Sequence, residues 1–411
     1  MTLIPILTEW LNFAVRWLHV IAGIAWIGSS FYFVHLDLSL RPRTHLPEGA
    51  YSEAWQVHGG GFYNMVKYLV APSQMPDHLT WFKWEAYTTW LSGFSLLVLM
   101  YYLNAELYLI DRSVLAMSPL KAVFISLTGL ALGWLIYDQL CRSRLGKNDL
   151  VLALTGFVFL VALSFAFNHI FSGRGAFMQM GALIGTMMVA NVFLVIMPNQ
   201  RIVVAALLRG EKPDPRLGAI AKQRSLHNNY LTLPVVFVMI GNHYPLAFAT
   251  TYSWLILALV IIMGTFIRHA FNTMHKTESM PIWPWFVAAQ CFLAIIALSA
   301  FGSAAQAQTP ATQATAGTKA TAGAKVALSD VTNVVSGRCS MCHADQPVWE
   351  GIHMAPKGVK LDTPERISLH LHEVGIQAGL SHAMPPGNLT EITPEERRLL
   401  ADALIFGVKS D

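Results

Sequence analysis

The sequence predicts an all-α protein: a polytopic membrane helix bundle with about eight transmembrane helices, followed by a small helical domain in water. Three observations predict it. The chain is 54% hydrophobic and only 13% charged over 411 residues, where soluble domains carry about 25% charged residues. Its apolar residues come in runs of about twenty, the length that crosses a hydrocarbon layer of about 30 Å. The composition changes after residue 302. An Ala-, Thr-, Gln- and Gly-rich stretch over 303–327 cannot form a core, and patterned, more polar sequence follows it. The expected organisation is therefore 1–302 in the membrane, a flexible linker over 303–327, and 328–411 as a separate domain.

Spans are expected near 11–36, 84–103, 119–138, 150–170, 180–198, 229–242, 250–268 and 283–302. The sixth is short and carries Pro234. Glu9 and Arg16 flank and interrupt the first run, which is too long for the apolar region of a cleavable signal. Lys and Arg in alternate loops set the orientation. One set of loops holds fifteen, from Arg41 to Lys276; the other holds only Arg112 and Arg174. The basic set belongs in the cytoplasm, so both termini lie outside. The net charge of +4 reflects this asymmetry and carries no signal for nucleic acid.

The loop over 37–83 is long for a membrane-protein connection. It contains Gly59-Gly60-Gly61 between His58 and the aromatics Phe62 and Tyr63, with Asn64 and Lys67 following. Two readings stand for the glycines: close backbone approach to a ligand, or an interfacial turn within an aromatic belt. No G-x-G-x-x-G follows a strand, so dinucleotide binding is not supported. Ionisable groups within spans are costly and mark function. On the outer side these are Arg16, His19, His169 and His243; on the inner side His35, His58, His227, Arg268, His269 and His275. His19, His169 and His243 are candidate ligands for an intramembrane haem b or copper, set against the plain alternative of packing or interfacial histidines. Cys141, Cys291 and the run Met178, Met180, Met187, Met188 read as packing residues. Ala305-Gln306-Ala307 resembles a signal-peptidase site, set against an uncut tether that lets the last domain swing.

Cys339-Ser340-Met341-Cys342-His343 is the attachment signature of c-type haem. Two thiols bond covalently to the haem vinyl groups, and a turn of helix brings His343 beneath the iron as an axial ligand. The other two cysteines lie far upstream in apolar segments, so a four-ligand zinc site lacks partners. Met384, in Met384-Pro385-Pro386-Gly387, is the candidate second axial ligand, because the prolines stiffen the turn that presents it. His382, His353 and Met354 compete with it. Helices are expected over 329–338 and 393–409, the second opened by Thr393 as N-cap, Pro394 at N1 and Glu395 and Glu396 in the first turn. This is the pattern of a class I-like cytochrome c domain. Haem c is attached outside the bacterial inner membrane, in agreement with the periplasmic side given by the loop charges.

His19 to Gly28, Trp55 to Asn64 and Ala71 to Pro76, followed by further helices and a fused C-x-x-C-H domain, resemble the bacterial membrane-bound, cytochrome c-linked urate oxidases, also called urate hydroxylases. The resemblance covers essentially the whole chain. It implies oxidation of urate to 5-hydroxyisourate with oxygen from water, in purine catabolism. It implies electrons passing through haem c to cytochrome c oxidase or another respiratory acceptor. Cys339, Cys342, His343 and Met384 match the family's cytochrome motif one by one. The resemblance assigns no urate-contacting residue.

Urate is a planar purine anion, so its pocket needs a cation or amide donors and an aromatic wall. On the inner face His58, Asn64, Lys67, His227, Asn228, Asn229 and Arg268 offer such groups, and His58, Asn64, Lys67, His227 and Arg268 are the catalytic candidates. A second redox centre, haem b, would carry electrons across the bilayer. The alternative function is a quinol-oxidising electron-transfer subunit without urate chemistry.

Overall fold

The computed structural model describes residues 3–68, 76, 78–307, 325–350 and 352–409. Ala71 to Met75 and most of the expected linker lie outside them. The chain is mostly helical. Helix α1 (Leu3–Ser39) has 37 residues, about 55 Å at 1.5 Å per residue. It is therefore longer than a bilayer core is thick.

Strands β1 (Ala50–His58) and β2 (Gly61–Tyr68) form an antiparallel hairpin, with Trp55 opposite Asn64 and His58 opposite Gly61. The hairpin explains the glycine run. A two-residue type I′ turn needs positive φ at both central positions, and Gly59 and Gly60 have φ of 58° and 79°. A Cβ at either would meet no atom within 4 Å. Backbone conformation by itself accounts for Gly59 and Gly60.

The membrane helices follow. α2 (Trp84–Leu97) runs on through a π-helical turn to Tyr102, and α3 (Ala105–Tyr108) is one short turn. α4 (Pro119–Arg142) starts with Ser118 capping Lys121 N–H and Pro119 at N1, where a missing N–H costs nothing. α5 (Asp149–Asn168) is capped by Asn148. α6 (Gly173–Ala190), capped by Ser172, continues through a π-helical stretch over Asn191–Ile196 into α7 (Met197–Leu208). α8 (Pro215–Gly241), α9 (Pro245–Phe248), α10 (Ser253–Thr277) and α11 (Trp283–Ala307) complete the bundle.

Helices stand at all eight expected places. Among the described residues five are long and apolar enough to cross a membrane: Ile6–Ser39, Pro119–Arg142, Asp149–Asn168, Gly173–Leu208 and Ser253–Thr277, with Trp283–Ser299 a shorter apolar segment. α8 departs most from expectation, because it starts at Pro215 and not near 229. Its first half is polar, yet Arg224, Asn228 and Asn229 turn inward and are buried, so hydropathy hides that half. α11 extends to Ala307, into the segment read as linker.

α6–α7 is the central helix: 67% of its apolar window is buried, against 6% for α1. Met180, Met187 and Met188 lie in the core with Leu183, Ile184 and Leu257, as packing residues. Glycines let helices approach: a Cβ at Gly264 would fall 2.7 Å from the Pro234 ring, and one at Gly93 2.8 Å from the His19 ring.

The C-terminal unit has its own core. β3 (Val326–Ala327) leads into α12 (Leu328–Arg338), followed by α13 (Pro364–Leu369), α14 (Leu371–Val374) and α15 (Pro394–Phe406). Thr393 and Glu396 form a reciprocal capping box. α15 stops at Gly407, whose φ is 81°, so Lys409 belongs to β4 (Val408–Lys409), which pairs in parallel with β3. Val331, Val335, Ile367 and Leu400 form the core, with Cys339 and Met384 packed against it.

This unit touches the bundle. His382 N–H donates to Ala249 O at 3.2 Å. Ala383 packs against the membrane core. A Cβ on Gly387 would lie 2.5 Å from Ile110 O and 3.1 Å from Glu106 O. The loop carrying Met384 is thus the loop that meets the bundle. It meets the end bearing Arg112 and Arg174, away from the basic loops.

Candidate functional site

Two places bring chemistry-bearing residues together. The first is at the end of α12. Cys339 N–H donates to Val335 O at 2.8 Å, and Cys342 and His343 N–H both fold back onto Cys339 O, at 3.2 and 2.9 Å. The pentapeptide is therefore a tight turn closed on Cys339 O, with both cysteines and the histidine on it. His343 Nδ1 donates to Val359 O at 2.9 Å. That bond fixes the tautomer and leaves the Nε2 lone pair for a metal, the usual arrangement for a ligating histidine. Burial, helped by the neighbouring Cys342, pushes the Cys339 thiol up to about 12.

Met384 sits among apolar residues and its backbone is held at both ends. Its N–H donates to Gln377 O at 2.8 Å, and buried Arg397 donates to Met384 O at 2.8 Å and to Asn388 Oδ1 at 3.0 Å. Desolvation lowers Arg397 to about 10. Its rival Met354 is 73% exposed, and His353 and His382 are exposed as well. The donor set, two thiols and an imidazole on one turn and a thioether on a braced loop, fits haem c.

The second place is a cleft of about 460 Å³ between α1 and α10, lined by Phe31, Tyr32, His35, Arg268, Phe271, Met274 and His275. Arg268 is only 5% exposed. Its guanidinium stacks on Phe31, 3.8 Å from the ring centroid. Nη2 donates to Asn272 Oδ1 at 2.9 Å and reaches Asn229 Oδ1 at 3.5 Å. Arg268 Nε and Asn229 Nδ2 are buried with no partner among the described residues. His35 Nδ1 and His275 Nδ1 are 3.0 Å apart and share a hydrogen bond.

The inner-face candidates do not converge. Only Arg268 lines the cleft. His58, Asn64 and Lys67 are exposed on the hairpin, where Asn64 donates to Glu53 at 2.8 Å and Lys67 pairs with Asp37 at 2.7 Å. His227 belongs to a separate buried network: Tyr137 OH bonds its Nδ1 at 2.8 Å, Asn191 bridges Tyr137 and Asn228, and Arg224 pairs with Asp138 at 2.7 Å. The π-helical stretch at the end of α6 turns Asn191 into that network. Phe31, Phe271 and Asn272 were not singled out from sequence. The signal for them is spacing: Arg268, Asn272 and His275 lie at i, i+4 and i+7 on one face of α10, and Phe31 and His35 at i and i+4 on α1.

Nor do the outer histidines gather. His19 Nδ1 bonds Thr89 O at 2.9 Å and Ser92 Oγ at 3.2 Å, at the α1–α2 contact. His169 is exposed and bonds its own helix at Phe165 O, 2.8 Å; His243 is exposed beyond α8. Among the described residues no group of three His, Cys, Asp or Glu side chains is placed to hold a metal. A shared haem b or copper site on His19, His169 and His243 does not fit this geometry.

Residues 5–299 match the model of the urate oxidase N-terminal family. The chain belongs to that family. The match takes in the bundle and both walls of the cleft, and residues 300–411 lie outside it. Comparison with curated proteins and with solved structures yields no match. Membership in the urate oxidase family points to an oxidoreductase with urate as substrate. Several helices are long and apolar enough to cross a membrane, which is compatible with a membrane protein.

Proposed function

We propose that the chain is a membrane-bound urate oxidase that passes electrons to a haem c in its own C-terminal domain. The observation that carries the reading is one continuous sequence. A urate oxidase family match over 5–299 is followed by a C-x-x-C-H turn whose His343 already donates Nδ1–H to Val359 O, 2.9 Å away. The reaction balances as the urate anion plus water giving neutral 5-hydroxyisourate, one proton and two electrons. Cys339 and Cys342 would attach the haem, and His343 and Met384 would hold its iron. Bound there, the haem supplies a one-electron acceptor of raised potential, so each urate requires two successive transfers.

The chain's own residues do the rest. Val359 O orients His343. Arg397, braced on Ala378 O, Met384 O and Asn388, holds the methionine loop. That same loop seats against Ala249, Glu106 and Ile110, at the end of the bundle that bears Arg112 and Arg174. Loop charges support a periplasmic position for that end, from which cytochrome c oxidase or another respiratory acceptor is reached. The inner membrane is the location that follows.

The test is reduction of haem c by urate in purified membranes, followed by its absorbance, with product oxygen traced from labelled water. Reduction by quinol and not by urate would replace this reading with that of an electron-transfer subunit.

A further inference from the structure

Two arginines are buried in the bundle, and they are treated differently. Arg224 is 2% exposed and meets the Asp138 carboxylate at 2.7 Å. Arg268 is 5% exposed and meets no carboxylate among the described residues. Its partners are two amide oxygens and the face of Phe31. A buried cation without a counter-charge is costly; among the described residues its Nε has no acceptor, as is also true of Arg224 Nε, so the missing carboxylate is what sets Arg268 apart. Such a residue persists where an anion completes it.

The surroundings narrow the anion's chemistry. The cleft's volume of about 460 Å³ lies in the range of small-molecule sites, about 300–1,000 Å³. Phe31, Tyr32 and Phe271 line it, and aromatic walls favour a flat ligand. Inorganic phosphate or a carboxylate would use the guanidinium but leave these walls unused. The cleft opens beside the last turns of α1 and α10, at the end whose loops carry the basic residues. Along α10, from Ser253 to His275, that is about 33 Å from the docked C-terminal unit at 1.5 Å per residue.

We propose that this cleft binds the urate anion, with Arg268 as its anion anchor and the aromatic residues as its stacking walls. The inference rests on the urate oxidase reading above and names the site for it. The His35–His275 pair shares a hydrogen bond between two Nδ1 atoms 3.0 Å apart, so a ring nitrogen of the pair is free to accept the one proton that hydroxylation of the urate anion releases.

The experiment uses the purified full-length holoprotein in detergent. Urate binding is measured by equilibrium dialysis, and urate-driven haem c reduction by stopped-flow absorbance. Arg268→Gln is expected to raise the urate Kd roughly tenfold to a hundredfold, the effect of losing a charged hydrogen bond. Arg268→Lys should recover part of that loss. Dithionite-reduced haem c spectra should be unchanged in both. His275→Gln, at the cleft surface, is the second variant should Arg268→Gln fail to fold; it should slow reduction at saturating urate more than it weakens binding. His45→Gln, at an exposed histidine before the hairpin, should leave Kd unaltered. If urate reduces the wild type and both Arg268→Gln and His275→Gln behave like it, the cleft is not the site while the urate reading stands. If urate neither binds nor reduces the wild type, both fall together. Binding of phosphate at the cleft as tight as that of urate overturns the planar-ligand assignment.

Discussion

Replacing Gly387 by Ala should separate the two halves of the molecule functionally without unfolding either. Gly387 has φ of 56°, a conformation that costs an L-residue roughly 1–2 kcal/mol. The added Cβ would also lie 2.5 Å from Ile110 O, about 1 Å inside the optimum contact of roughly 3.5 Å. Backbone on both sides prevents a side chain from yielding, so the loop must withdraw from the bundle. Withdrawal breaks the 3.2 Å bond from His382 N–H to Ala249 O, a net loss of about 1 kcal/mol, and lifts Ala383 off the membrane core. Gly358→Ala is the matched control. Its φ is 71°, and a Cβ there meets nothing within 4 Å, so it carries the backbone strain without the interdomain clash. Urate-driven haem c reduction should slow in Gly387→Ala and not in Gly358→Ala, while dithionite reduces both at the wild-type rate. Equal urate-driven rates in the two variants would falsify the docked arrangement as the electron-transfer geometry.

Three further outcomes are expected. Cys339→Ala with Cys342→Ala should abolish haem staining on denaturing gels at the full-length mass; a surviving stain there places the attachment elsewhere. Met384→Ala should lower the haem potential and remove the sulfur-to-iron charge-transfer band, whereas Met354→Ala, at a residue 73% exposed, should do neither. The C-terminal domain should lose stability in acid. The Lys360 ammonium, then Arg366, hold the Asp345 carboxyl below its ordinary range, and Asp345 N–H, then Arg366, do the same for Asp362. Carboxyl pKa values lowered by folding stabilise the fold above the ordinary carboxylate range, and that stability is lost as pH falls through the depressed values. Urea midpoints of the holoprotein's haem transition, measured across that range, should drop in the wild type and drop less in Asp345→Asn with Asp362→Asn.

The haem-attachment turn was legible because covalent chemistry sets its spacing locally: two thiols and a histidine within five residues require no knowledge of the fold. The apolar runs were legible for a similar reason, since each span meets the same bilayer. Thr393 and Glu396 announced their helix because a capping box closes within four residues. Gly59-Gly60 between strand-like segments also carried a readable hairpin signal, but the aromatics around it equally suit a membrane interface.

Tertiary structure alone decided the pairings. His35 and His275 are 240 residues apart, and only the α1–α10 contact makes them neighbours. Arg224 and Arg268 look alike in sequence; burial beside Asp138 neutralises one and leaves the other seeking an anion. The polar half of α8 fails a hydropathy reading because its partners, Asn191 and Asp138, come from other helices. Gly387 reads as part of a stiff turn, yet its lack of a Cβ serves the backbone of Ile110 in the membrane domain. Local patterns determined which elements exist and which cofactor they suit. Long-range packing, which depends on shape and charge from segments hundreds of residues apart, determined which polar groups face one another and therefore where a substrate can bind.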